Sequence, residues 1–335
     1  MRTSLARATA LLCLLAGMGI PQANAQPALF GLRASLDLTW VPVDPASPPG
    51  PRAAFAMAFD AASRRIVLFG GFDETSYLAD TWTYDGHDWT RIATASAPSP
   101  RAAPSMAYDL ATKTLVLFGG YDGSSYLGDT WAWDGTRETW TRMTPAHSPT
   151  AVTGPMVFTD PATGRAMEYG GFDGQFYQLK TWRWQDGDWR QLHPANSPSA
   201  RAAAAVATDP ELHETVLFGG LADVNPWNTW TWDGVDWTLE SPATQPDNRY
   251  DPAADYEPHV GGVVLFGGAS GGTPLADTWR WTGTDWEQLQ PAYSPAPRES
   301  HGLVYDPAIG RLVLYGGLRR NTLYDDTLRL GVTRH

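Results

Sequence analysis

LFGGFDETSYLADTWTYDGHDWTRI, residues 68 to 92, carries in order a Gly-Gly pair, a Thr-Trp dipeptide, an Asp-Gly turn and a second Trp. The same order returns along most of the chain. Gly-Gly pairs stand at 70/71, 119/120, 170/171, 219/220, 267/268 and 316/317, at spacings of 49, 51, 49, 48 and 49 residues. Thr-Trp follows at 81/82, 130/131, 181/182, 229/230 and 278/279, and becomes Thr327-Leu328 in the sixth copy. The later Trp is Trp89, Trp140, Trp189, Trp237 or Trp286. Alternation such as Trp82-x-Tyr84 and Trp131-x-Trp133 has the period of two that belongs to strands. Six similar strand-rich units cannot each bury a core alone, so they must stack side by side in a closed array.

Each unit reads as four short strands, A to D from the channel outward. In the first unit these are residues 53 to 59, 65 to 69, 81 to 84 and 89 to 93. Asp-Gly at 85/86, 134/135, 186/187 and 233/234 supplies the positive backbone angles that join C to D. The Gly-Gly pair ending strand B turns the backbone where a side chain would clash. After Gly317 the last unit has a C strand, residues 326 to 332, and no D strand. The segment LDLTWVPVDPASPP, residues 36 to 49, supplies a D strand instead, with Trp40 lying 49 residues before Trp89. The two ends are expected to meet in one composite blade, which closes the ring and leaves no open edge.

On these Gly-Gly and Thr-Trp repeats the chain resembles the kelch-repeat family over roughly residues 36 to 330. The fold implied is all-β: a six-bladed kelch-type β-propeller with four antiparallel strands per blade. Kelch propellers include enzymes and binding scaffolds alike, so the resemblance does not choose a function.

Residues 1 to 25 combine Arg2 and Arg7, an apolar run from residue 11 to 15, and Ala23-Asn24-Ala25. This reads as a signal peptide cleaved after Ala25, followed by one propeller domain over 26 to 335 and a secreted or periplasmic address. The apolar run is too short to span a bilayer. Cys13 is the single cysteine, so the mature chain is held by packing alone. Removing the leader takes away two arginines and no acid, moving the net charge from −12 to −14. That charge repels nucleic acid and anionic lipid, and a single-chain ring of this kind needs no oligomer.

An arginine lies eighteen residues before the first glycine of each pair at Arg52, Arg101, Arg201, Arg249 and Arg298, with Val152 in the third unit. These open the innermost strands around one mouth of the channel. Asp73, Asp122 and Asp173, just after the Gly-Gly pairs, are the expected partners in units one to three. Arg201, Arg249, Arg298 and Arg319 then lack an in-register acid, and with Trp227, the one Trp off register, they are the candidate ligand-binding residues. Asp255, where other units have mostly alanine, and Glu299 and His301 in the sixth A strand are the candidate proton-moving groups of an enzyme. No metal site and no cofactor is expected, since the seven histidines are scattered singly.

Two kelch enzymes bear comparison. The chain looks like the propeller domain of galactose oxidase, but that copper site needs a crosslinked cysteine, which the mature chain lacks. It is also similar to the kelch-type sialic acid mutarotases, which implies arginines holding a sugar carboxylate and Glu299 or His301 moving the proton. The leading expectation is an exported, non-catalytic module binding a glycan or a protein through the face that carries the D-to-A and B-to-C loops. The alternative is a small acidic-sugar isomerase or lyase at the channel mouth. A pocket joining Arg249, Asp255, Arg298 and His301 would favour catalysis; an exposed face with Tyr77, Tyr126, Tyr177 and Trp227 would favour binding.

Overall fold

The computed structural model describes residues 36–224 and 226–334. The leader expected over residues 1 to 25, Cys13 with it, lies outside the described residues. Within them the chain forms strands and turns without a helix. Six four-stranded antiparallel sheets are the blades. Blade 1 runs outward from the channel as strands A (Ala56–Asp60), B (Arg65–Phe69), C (Thr81–Tyr84) and D (Trp89–Ile92). The innermost strands of blades 2 to 6 are Ser105–Asp109, Met156–Thr159, Ala205–Asp209, Ala253–Glu257 and Gly302–Asp306. Each touches the next, and the sixth touches the first, so the ring is closed.

Blade 6 is composite, as the Trp40 spacing implies. Its outer strand is Leu36–Val43, paired antiparallel to Thr327–Arg334 from Leu36↔Arg334 to Val43↔Thr327. That C strand begins at Thr327, one residue later than expected, and reaches Arg334. The first A strand also starts later than expected, at Ala56, because Ala54 turns the chain with φ 54°.

The second Trp of every unit staples its blade to the preceding one. Trp140 Nε1 donates to Thr81 Oγ1 (2.9 Å), Trp189 to Thr130 (2.8 Å), Trp237 to Thr181 (3.1 Å) and Trp286 to Thr229 (2.8 Å). Trp89 reaches Thr327 (3.1 Å) and Trp40 reaches Thr278 (3.4 Å) across the closure. The threonine is therefore kept in the sixth copy although its Trp has become Leu328. These indoles are buried, each contributing a gross term of roughly 4–6 kcal/mol from apolar area. The apolar clusters lie between neighbouring blades.

Gly70 and Gly71 show why the pair is required. Both have positive φ, 72° and 102°, and a Cβ would lie 2.9 Å from the Arg101 carbonyl oxygen or 2.8 Å from that of Ala53. The Asp-Gly turns behave as expected in blades 1, 3 and 4, where Gly86, Gly187 and Gly234 have positive φ. Blade 2 departs: its C-to-D loop is two residues longer, and Glu138 (φ 55°) rather than Gly135 takes the left-handed conformation.

Candidate functional site

The D-to-A and B-to-C loops meet on one face, and the arginines stand beneath it. Four of the five form two-pronged ion pairs with an aspartate 28 residues downstream, immediately before the Thr-Trp. Nη1 and Nη2 lie 2.8 and 3.0 Å from the carboxylate in Arg52–Asp80, and 2.6 and 3.0 Å in Arg101–Asp129. They lie 2.6 and 2.8 Å away in both Arg249–Asp277 and Arg298–Asp326. Nη1 also donates to the first carbonyl of the Gly-Gly pair in each blade, as in Arg298 to Gly316 (2.9 Å). Burial opposes ionisation of Asp80, Asp129 and Asp277, but the arginine bonds and charge outweigh it and hold their pKa values below the usual carboxylate range.

This corrects the expected pairing. Asp73, Asp122 and Asp173 cap their own loops instead: Asp73 Oδ1 accepts the N–H groups of Thr75 (3.1 Å) and Ser76 (2.8 Å). Arg249 and Arg298, expected to lack an acid, each have one. Arg201 does lack one: Asn228 stands at the position of the acid, accepting at 2.9 Å, and the Pro226 and Gly219 carbonyls and the Ser199 hydroxyl accept at 2.9, 3.0 and 2.8 Å. Burial pulls the Arg201 pKa down to about 10. In blade 3, Val152 replaces the arginine and Lys180 replaces the acid.

Arg201, Arg249 and Arg298 are fully covered, so no pocket of the described residues joins them to Asp255 and His301. Glu299, Ser300 and His301 do meet Asp251 at the channel mouth, around a cavity of about 130 Å³ in which Asp251, Ser300 and His301 take part. Asp255 is separate, in the channel wall. Burial and then the Asp251 charge raise the Glu299 pKa, and burial raises Asp251 to about 6. His301 is pushed down to about 3 by burial and by Arg298, and neither ring nitrogen has a well-formed hydrogen bond. A neutral, weakly basic imidazole is poorly suited to take a proton near neutrality. Arg319 is exposed on a short hairpin of Leu318–Arg319 with Thr322–Leu323. Trp227 is half-exposed on the blade 4 loop.

The mouth itself is a ring with no counterpart in the sequence reading. Ala54, Ala103, Gly154, Ala203, Asp251 and Ser300, each two residues beyond the arginine position, all have φ between 49° and 60°. Their backbones bond head to tail. Ala103 N–H donates to Ala54 (2.6 Å), Gly154 to Ala103 (3.0 Å), Ala203 to Gly154 (2.9 Å), Asp251 to Ala203 (2.9 Å), Ser300 to Asp251 (3.0 Å), and Ala54 to Ser300 (2.9 Å). Neighbours joined this way stand about 5 Å apart, so the six encircle the channel axis.

Above the ring, Phe72, Tyr77, Tyr121, Tyr126, Phe172 and Tyr177 form a continuous arc over blades 1 to 3. Successive centroids are 5.2, 5.9, 5.1, 6.0 and 4.9 Å apart. Tyr77, Tyr126 and Tyr177 are thus half-buried loop anchors as well as surface groups. Phe72, Tyr77 and Tyr121 share a cavity of about 590 Å³ with Leu318, Arg320 and Asn321 of blade 6. Farther round, Phe176, Leu179, Leu221, Val224 and Trp227 of the adjoining blade 3 and blade 4 loops are 40 to 70% exposed. Among the described residues no group of three or more His, Cys, Asp or Glu is placed to hold a metal ion. No helix among the described residues is long and apolar enough to cross a membrane.

No curated protein matches the chain. A family model described as the KLHDC2/KLHL20/DRC7 Kelch-repeats domain matches residues 19–220, about three-fifths of the sequence. With the closed six-bladed ring and the Gly-Gly and Thr-Trp positions in each blade, that match shows that the chain belongs to the kelch-repeat family, whose propellers generally serve as interaction modules.

Proposed function

We propose that this chain is an exported, non-catalytic interaction module that holds a protein partner on the face carrying the B-to-C loops. The observation that supports this is the grouping of Phe176, Leu179, Leu221, Val224 and Trp227 on two adjoining loops. Tyr177 lies within electrostatic reach of Asp223, so the two loops are neighbours. Five large apolar side chains exposed side by side are costly in water and typical of a docking surface. Export rests on the leader read in the sequence, and a mature N-terminus at Gln26 in the purified native protein tests it.

The test of the surface is cross-linking and co-purification from the native source with the wild-type chain and with Val224→Glu/Trp227→Glu. The wild type should capture a defined partner and the double variant should lose it by about tenfold or more, with an unchanged melting temperature. Equal capture by both chains overturns the reading.

A second reading, a glycan ligand, is favoured by the cavity between the aromatic arc and Arg320 with Asn321, which combines stacking faces with hydrogen-bond donors. Loss of glycan-array binding in Tyr77→Ala and Tyr121→Ala, with the double glutamate variant unaffected, would select it over the protein reading.

A further inference from the structure

Below the ring, the channel holds an open cavity of about 320 Å³. At one level of its wall the six innermost strands present Ala58, Ala107, Phe158, Ala207, Asp255 and Val304. Five of these are apolar and the sixth is a carboxylate. Asp255 Oδ2 accepts the N–H of Tyr305 in the next blade (2.7 Å) and Oδ1 accepts that of Tyr256 (2.8 Å). Other blades tie their inner strands together with uncharged groups. Ser105 Oγ accepts the Val157 N–H (3.1 Å), and Thr208 Oγ1 donates to the Thr159 carbonyl (2.6 Å). Strapping two blades therefore does not require a charge. The charge that acts on Asp255 is that of Glu257, which is also negative.

We propose that Asp255 anchors a small-molecule site in the channel, and that its ligand carries one protonated amine on a compact apolar body. A carboxylate has about four acceptor positions, and the two backbone N–H groups leave the others free. An ammonium placed there makes a charge-assisted bond and supplies the missing counter-charge where little water competes. Met57 and Met106 line the same cavity with side chains that adapt to an apolar body. The cavity is at the small end of the range of ligand sites, about 300–1,000 Å³. Burial raises the Asp255 pKa to about 6, which leaves it mostly ionised near neutral pH. This site is independent of the loop face above.

Benzylammonium and benzyl alcohol, alike in shape and different in charge, are the probes. Calorimetric titration of the full chain near neutral pH should show benzylammonium binding and no binding of the alcohol. Asp255→Asn keeps an oxygen for the Tyr305 N–H and should weaken binding by about tenfold or more. Ala58→Phe, which puts a second phenyl ring at the level of Phe158 and leaves Asp255 in place, should also abolish it. Equal binding of the alcohol, full retention in Asp255→Asn, or no binding of benzylammonium at about 10 mM overturns the proposal. If Ala58→Phe does not fold, the alcohol and Asp255→Asn decide alone.

Discussion

Arg201 and Asn228 occupy the places that an arginine and an aspartate hold in four other blades, and they meet through one neutral hydrogen bond of 2.9 Å. The acid of blades 1, 2 and 5 also accepts the C-strand indole N–H, as Asp277 does from Trp279 at 2.6 Å. In blade 4 the Trp230 indole nitrogen is buried without a partner. Asn228→Asp should therefore restore both bonds at once and stabilise the protein by about 1–3 kcal/mol. The measurement is the melting temperature, which should rise by a few degrees near neutral pH. Because the new carboxylate would have a lowered folded pKa, the gain should fade as the pH drops below about 4.

Glu168 stands where the other blades carry Leu68, Leu117, Leu217, Leu265 and Leu314. It is buried, and burial alone raises its pKa well above the usual value. A raised acid is protonated in the fold when the unfolded chain is already ionised, so its cost is absent at low pH and grows as the pH rises past about 4.3. Glu168→Leu should raise the denaturation midpoint near neutral pH and change it little in acid. A variant less stable than wild type near neutral pH would show that the carboxyl has a partner in solution.

His301 gives the opposite slope. Its folded pKa, about 3, lies below the ordinary value of 6.5. The unfolded state therefore takes up the proton first, and stability should be lost as the pH falls from 6.5 towards 3. His301→Phe places at that position the residue blade 1 has in Phe55. Urea midpoints should fall less steeply with acid in the variant than in the wild type.

The indole staples differ in length, and their removal should be graded. Thr229→Val strands the Trp286 N–H, which is held at 2.8 Å, whereas Thr278→Val releases Trp40 from a 3.4 Å contact. The first substitution should cost about 1–3 kcal/mol and the second less. Comparing the two by urea denaturation with unchanged slope is the check.

The repeat was legible because its glycines and aromatics are required by local geometry in every copy, and Trp40 even placed the closing strand. The arginine partners were misread because Asp73, Asp122 and Asp173 are nearer in sequence and on the right face. The correct signal was present in co-variation between units. Arginine goes with Asp80, Asp129, Asp277 or Asp326; Asn228 accompanies Arg201; and Val152 coincides with Lys180. The ring at the mouth was not legible, since Ala54, Ala103 and Ala203 are ordinary small residues whose left-handed backbone is imposed by their neighbours. The exposed apolar loops were visible only as Trp227, because burial of a loop side chain depends on contacts that spacing does not encode.

Blade 6 joins Leu36–Val43 to Thr327–Arg334, so among the described residues the first strand to be synthesised waits for the last before it has a partner. Until then its edge is open, and a nascent chain exposes that edge while the five blades between are made. Time, more than energy, is thus the hazard that this closure sets for the cell: anything that shields residues 36 to 43 until residues 327 to 334 emerge should raise the yield of folded protein.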